Sequence, residues 1–233
     1  HKEYRRQRQM CIRDRSSIEM DVVLTTNGSL LEKNAAKLAE SRLSRVTVSL
    51  DAIDQEVHSA ITDSEVPVAD ILDGIFAAIT YELGPVKVNC VVQRGVNDHQ
   101  IPKLVRKFRG TGVIVRFIEF MDVGNTNGWT RGQVVPTSEI IDFLSNEFDL
   151  TPLARKSASD VASRWAHSDG TGEIGFISSV TQPFCGDCVR ARLSSDGKFF
   201  TCLFTTLGHD MSALIRSGRE TEELTNSIEE VWS

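Results

Sequence analysis

The sequence predicts an α/β fold whose βαβ units set parallel strands side by side in an open barrel. Two patterns carry that reading. From Ile18 to about residue 127, strand-like runs alternate with stretches of helical spacing, the order expected of parallel strands joined by crossover helices. The strands also sort their residues by face. In VTVSLD, Thr47, Ser49 and Asp51 fall on one side and Val46, Val48 and Leu50 on the other. In VKVNCVV, Lys87 and Asn89 oppose Val86, Val88, Cys90 and Val92. A buried parallel strand is ordinarily apolar on both faces. Polar residues on one face of two strands therefore predict a lined interior able to hold a ligand, the alternative being an edge strand facing water.

The elements follow in order. MDVVLTTNG reads as a strand ending in a polar turn, and LLEKNAAKLAESR as a helix of good helix formers. SRVTVSLDAID is the next strand, and SEVPVADILDGIFAAITYELG carries an amphipathic helix. VKVNCVVQRGVND is a strand with a polar exit, QIPKLVRKFRGTG a helix and VIVRFIEFMDVGN a strand. Ligands of barrels and open α/β sheets sit at the carboxyl ends of strands, where TTNG, SLD and EFMDVGN fall. Beyond Asn127 the rhythm changes. VVPTSEIIDFLSNEFDL predicts a helix capped by Thr137 or Ser138, and DVASRWAHSDGTGEIGFISSV predicts strands about a Gly-rich turn. TEELTNSIEEVW predicts a last helix. This second half reads as a smaller region packed on the barrel.

Composition sets bounds. Of 233 residues, 40% are hydrophobic and 25% charged, ordinary for a globular chain with a sizeable core. The net charge of -6 argues against a general nucleic-acid binder while leaving room for a local anion site. No apolar run is long enough to span a bilayer. Five cysteines, three clustered and two isolated, fit a reducing compartment and a metal site better than a disulfide framework.

The start of the chain breaks the pattern. RRQRQMCIRD is strongly basic in an acidic protein. Its possible codons include a string resembling a transposase adapter of sequencing libraries. Residues 1–15 are therefore expected to be non-native, adapter-derived sequence, the alternative being a disordered basic tail. In either case Cys11 is set aside as a ligand.

The chemistry concentrates in FCGDCVRARLSSDGKFFTCLF, residues 184–204. Cys185 and Cys188 form a CxxC, and an Asp-Gly turn at Asp196 and Gly197 predicts a hairpin that returns Cys202 toward them. Structural zinc takes four ligands, and neither His167 nor His209 stands at a persuasive spacing to be the fourth. An iron–sulfur cluster held by three cysteines leaves one iron open. Spacing alone leaves cluster and zinc equally open. Cys90 lies on the apolar face of its strand and reads as core. Arg190 and Arg192 alternate along the predicted strand and suit a phosphate or triphosphate. Neutralising the thiolates, or facing solvent, is the competing reading.

Taken in order, TTNG, VSLDAID, VKVNCVVQRGVND, VRFIEFMDVGNTNGW and CGDCVRARLSSDGKFFTCLF resemble the radical S-adenosylmethionine GTP 3′,8-cyclase family of molybdenum-cofactor synthesis. The resemblance runs from about Ile18 to the end. It implies an α/β fold, an incomplete (β/α) TIM-like barrel of the radical SAM type, over residues 16–127, with a C-terminal iron–sulfur region over residues 128–233. It implies two [4Fe-4S] clusters, S-adenosylmethionine as cofactor and GTP as substrate. Carried over by position, Cys185, Cys188 and Cys202 would ligate the second cluster. Arg190, Ala191 and Arg192 would line the GTP site, with Arg190 and Arg192 as its catalytic arginines. Lys87 would meet the triphosphate and Thr25 the nucleotide, while Ser49 and Met121 would contact S-adenosylmethionine. Arg116 is a weaker candidate, its alternative being a surface or interface arginine.

The sequence departs from the family in lacking the CxxxCxxC, Gly-Gly-Glu-Pro and C-terminal Gly-Gly motifs. The resemblance therefore implies a fragment with the first barrel strands missing, and the chain as given is expected not to generate the radical. A metal-stabilised nucleotide-binding module without catalysis is the alternative. No nucleic-acid or membrane partner is expected, a homodimer is left open, and the location is cytoplasmic, or mitochondrial in a eukaryote.

Overall fold

The computed structural model describes residues 21–41, 43–123, 128–157, 160–218 and 220–232. The expected adapter segment and Cys11 lie outside them. The chain divides into two compact units, the first running to Met121 and resuming over Trp129–Pro183, the second built chiefly of Phe184–Ser233.

In the first unit, strands β1 (Val23–Thr26), β2 (Arg45–Ser49), β3 (Lys87–Val92) and β4 (Ile114–Glu119) lie parallel in chain order. Helices α1 (Leu31–Glu40), α2 (Gln55–Thr62), α3 (Val68–Thr80) and α4 (Ile101–Phe108) occupy the crossovers. The parallel α/β architecture expected from the alternating pattern is thus present. After helix α5 (Thr137–Ser145), strands β5 (Leu150–Leu153), β6 (Ser163–His167) and β7 (Glu173–Ile177) extend the same sheet. Among the described residues its order is β1-β2-β3-β4-β7-β6-β5. β7 runs parallel to β4, while β6 and β5 are antiparallel. β7 suits the middle of a sheet because Ile174, Gly175, Phe176 and Ile177 are all buried.

One face of the parallel strands is the core. Val46, Val48, Leu50, Val86, Val88, Cys90, Val92, Val115 and Phe117 are buried against the helices. Each large apolar side chain buried this way is worth roughly 1.5–3 kcal/mol. Cys90 is core, as its apolar face predicts. Close approach in this layer depends on two glycines. Gly28, at φ +80°, lies where a Cβ would stand 2.9 Å from Ile71 Cγ2, and a Cβ on Gly74 would stand 2.9 Å from Leu31 Cβ.

One local expectation is corrected. Thr137 is the first residue of α5 and not its cap; Pro136 precedes the helix, and no side-chain hydrogen bond caps it. The N–H of Thr137 is satisfied at longer range, by Glu119 Oε1 at 2.9 Å.

The second unit holds an antiparallel sheet of β8 (Arg192–Leu193), β9 (Lys198–Phe200) and β10 (His209–Asp210), with helices α6 (Met211–Arg216) and α7 (Thr221–Trp232). The hairpin expected at Asp-Gly forms. Gly197 takes φ +85°, and Ser194 N–H donates to Lys198 O at 2.9 Å. The turn also receives α6, since Met211 N–H donates to Gly197 O at 3.0 Å while Asp210 caps the helix through Ala213 N–H at 2.9 Å. Trp232 of α7 packs its ring 6.5 Å from that of Phe199 on β9.

Candidate nucleotide and metal site

The face of the sheet opposite the core is polar, and register sets its layout. Thr25 pairs with Thr47, and Thr47 with Lys87; one step nearer the carboxyl ends, Ser49 pairs with Asn89 and Asn89 with Arg116. Paired residues share a face, so these side chains form two rows across β1–β4. Thr25 and Ser49 are exposed, while Lys87, Asn89 and Arg116 are half-buried. Met121, half-buried, follows the end of β4.

Cations crowd this face, with Glu173 and Asp160 as weaker counter-charges to Lys87. Burial, then the charges of Arg116 and Arg45, hold the Lys87 ammonium below the usual lysine range. Arg116 is itself lowered by burial and by Arg45. Its Nε donates to Asn89 Oδ1 at 2.8 Å, and its stem lies across Gly175, where a Cβ would meet Arg116 Cγ at 3.0 Å. Arg116 is therefore an oriented member of the polar face. Clustered cations that depress one another favour an anion, which removes the repulsion on binding.

Sequence reasoning missed a carboxylate on the opposite, buried face of β4. Glu119 ends β4 fully buried. Its oxygens accept from the N–H groups of Thr137, Val180 and Thr181 and from the Thr181 hydroxyl. A signal was present: Glu119 shares the apolar face of Val115 and Phe117, where a charge needs partners. Also missed were Asn97 and Gln100, both fully buried, which tie the loop after β3 to the end of β2.

In the second unit, Cys185 opens a 3-10 turn and Cys188 follows it, its N–H donating to Cys185 O at 3.3 Å. Arg190 lies just outside β8. Its guanidinium stacks 4.6 Å from the Phe184 ring centroid, and Nη2 lies 3.5 Å from Cys188 Sγ. The Arg190 N–H and guanidinium, aided by the charge of Arg192, lower the Cys188 thiol toward its thiolate. Arg192, in β8, buries Nη1 with no hydrogen-bond partner. A buried unpaired guanidinium nitrogen is costly and fits a donor kept for an anion. Ala191 between them is exposed.

Cys185, Cys188 and Cys202 are exposed free thiols. Among the described residues, no three His, Cys, Asp or Glu side chains are gathered into a metal-holding group. The three thiols, one of them biased toward its thiolate, are donors of the type an iron–sulfur cluster takes, but the convergence of Cys202 on Cys185 and Cys188 expected from the hairpin is not seen among the described residues. His167 is buried on β6 against Phe148, and His209 is exposed on β10. No helix of the described residues is long and apolar enough to cross a membrane.

Comparison with known proteins places these features in a class and then in a family. The profile of the radical SAM superfamily matches residues 1–108. The profile described as Molybdenum Cofactor Synthesis C matches residues 113–233. The chain belongs to this molybdenum-cofactor-synthesis family, and the resemblance read from its motifs is borne out. A GTP 3′,8-cyclase of Acidothermus cellulolyticus is 44% identical over 91% of this chain and 60% of its own length. That of Staphylococcus saprophyticus is 45% identical over 91% of this chain and 63% of its own. The chain thus spans less than two thirds of these curated relatives. A solved radical SAM methyltransferase from Sphaerobacter thermophilus is similar over 53% of this chain and 36% of its own, at 20% identity and TM-score 0.43.

Proposed function

We propose that the chain is the nucleotide-binding and second-cluster part of a GTP 3′,8-cyclase, which converts GTP to (8S)-3′,8-cyclo-7,8-dihydroguanosine 5′-triphosphate with S-adenosylmethionine as radical source. One observation carries the reading. Arg190 is stacked on Phe184 and reaches Cys188, two residues from the buried, unpartnered Nη1 of Arg192, in a chain 44% identical to a protein of that name.

In this reading Lys87, on the polar face of the first unit's sheet, meets the triphosphate of GTP, and Thr25 lies at the nucleotide site. Charge attraction to Lys87, half-buried on its strand, and hydrogen bonding supply the hold. Within the second unit, Arg190 and Arg192, with Ala191 between them, present fixed donors to the nucleotide. Ser49 and Met121 contact S-adenosylmethionine at the carboxyl rim, the hydroxyl by hydrogen bond and the thioether by apolar contact. Cys185, Cys188 and Cys202 hold the second of two [4Fe-4S] clusters. When bound, that cluster supplies an iron with a coordination position free for the guanine. The bacterial relatives support a cytoplasmic protein.

The test is anaerobic reconstitution of the chain with iron and sulfide, followed by metal analysis and GTP titration. The expected result is bound iron with sulfide, and GTP affinity that falls in Arg190→Ala and Lys87→Met. Retention of zinc alone, with GTP affinity indifferent to both substitutions, overturns the proposal in favour of a metal-stabilised module.

A further inference from the structure

The end of β2 is fastened to the loop beyond β3 by two buried amides. β2 stops at Ser49, and beyond it the Val91 N–H of β3, still paired with β4 on its other side, has no β2 partner; Asp51 Oδ1 accepts it at 2.8 Å. Asn97 fills the gap where the strands part. Its Nδ2 donates to Asp51 O and Val91 O, each at 2.9 Å, and its Oδ1 accepts Gln93 N–H at 2.8 Å. Gln100 secures the next stretch. Its Oε1 accepts the N–H groups of Ile53 and Asp54 at 3.3 Å each, and its Nε2 donates to Asp54 Oδ2 at 2.8 Å. Lys103 pairs with the same carboxylate.

Both amides are 0% exposed. Asparagine and glutamine are rarely buried so fully, and burial costs free energy unless each polar atom is matched. Here both ends of each amide are matched, and the partners of Gln100 lie 46 and 47 positions away. The segment held this way, residues 50–54, continues directly from Ser49. Untied, it would have to be ordered when a ligand arrives, and that entropy would come out of the affinity.

We infer that Gln100, supported by Asn97, is a positioning residue for S-adenosylmethionine, holding residues 50–54 so that Ser49 is presented ready-ordered at the rim of the sheet. The inference rests on the proposed reading of Ser49 as a contact to that ligand. Gln100 does not touch the ligand; it acts through the backbone of Ile53 and Asp54.

The test is calorimetric titration of the full chain with S-adenosylmethionine, in parallel for the parent, Ser49→Ala, Gln100→Leu, Gln100→Glu, Asp54→Asn, and Gln100→Glu combined with Asp54→Asn. Gln100→Leu is expected to weaken binding about tenfold and to speed amide exchange at Ile53 and Asp54 while Val88 and Val115 stay protected. Gln100→Glu sets two carboxylates against each other and is expected to weaken binding as well. Adding Asp54→Asn returns one amide and one carboxylate to the pair and is expected to restore affinity, which a general loss of stability would not produce.

Gln100→Leu within about twofold of the parent, with Ser49→Ala weakened, overturns the inference and leaves the reading of Ser49 standing. A parent that does not bind, or Ser49→Ala equal to the parent, overturns that reading and the inference with it. If Gln100→Leu does not fold, the exchange pair decides: rescue by Asp54→Asn supports the inference, and its absence, with Asp54→Asn alone binding like the parent despite the loss of its Lys103 pair, overturns it.

Discussion

Glu119 and Thr181, 62 positions apart, are joined twice: the threonine hydroxyl donates to Oε1 at 2.6 Å and its N–H to Oε2 at 2.8 Å. With the N–H groups of Thr137 and Val180 added, one carboxylate closes the end of β4, the start of α5 and the segment after β7. Glu119→Gln keeps the shape but turns an NH2 toward backbone donors. It is expected to cost about 2–4 kcal/mol, read as a lower urea midpoint. Burial alone would raise this carboxyl, but the hydroxyl of Thr181 and the N–H groups of Thr181, Thr137 and Val180 outweigh it and hold its pKa below the usual range. The native pKa is lowered, so its stabilisation is present above the unfolded value of about 4.3 and is lost as pH falls through the native one. The gap between parent and Glu119→Gln is therefore expected to narrow in acid.

Lys87 sets stability against binding. Its charge is disfavoured by burial and by Arg116 and Arg45, against a smaller pull from Glu173 and Asp160, so Lys87→Met is expected to raise stability slightly while weakening GTP binding by about tenfold or more. The native pKa is lowered, so the penalty on the charge applies at neutral pH and is relieved as pH rises through that value. The stability advantage of the variant should shrink on the alkaline side. Denaturant melts at two pH values, beside a GTP titration, check all three effects.

Gly28→Ala meets two obstacles. At φ +80° a side chain pays the left-handed penalty, and the new Cβ would stand 2.9 Å from Ile71 Cγ2 and 3.0 Å from Val48 Cγ1. A loss of about 2–3 kcal/mol is expected, seen as a drop in thermal midpoint. An equal midpoint would show that the turn after β1 can relax.

The arginines and cysteines of the second unit are expected to separate in their effects. Cys202→Ala should lower the iron bound after reconstitution and, with it, GTP affinity. Arg190→Ala should leave iron content near the parent's and weaken GTP binding by about tenfold. Chelation of iron from the parent should reproduce the Cys202→Ala phenotype. Iron and nucleotide assays on the same samples distinguish these outcomes.

Much of the first unit was legible because its periods are strong. The face alternation of β2 and β3 and the helical spacing of α1, α3 and α4 are written over many residues, and Cys90 declared itself core by its neighbours on one face. Short elements were not legible. α2 has only His58 buried among its eight residues, and the two-residue β10 exists through its pairing with β9. The hairpin was readable from Asp-Gly, but the stacking of Arg190 on Phe184 was not, since both lie outside regular structure. The roles proposed for Thr25, Ser49 and Met121 came from resemblance alone. Glu119, Asn97 and Gln100 escaped notice because their partners lie tens of residues away, where local pattern carries no information.

Cys90 gives the molecule a reporter of its own opening. Its thiol is wholly enclosed between β3 and the helices, and burial pushes its pKa well up, whereas Cys185, Cys188 and Cys202 face solvent. A labelling reagent that saturates the exposed thiols at once must wait for the sheet to part before it can reach Cys90. The slow phase of modification therefore times the breathing of the barrel without an added probe, and ligands that steady the sheet should lengthen it.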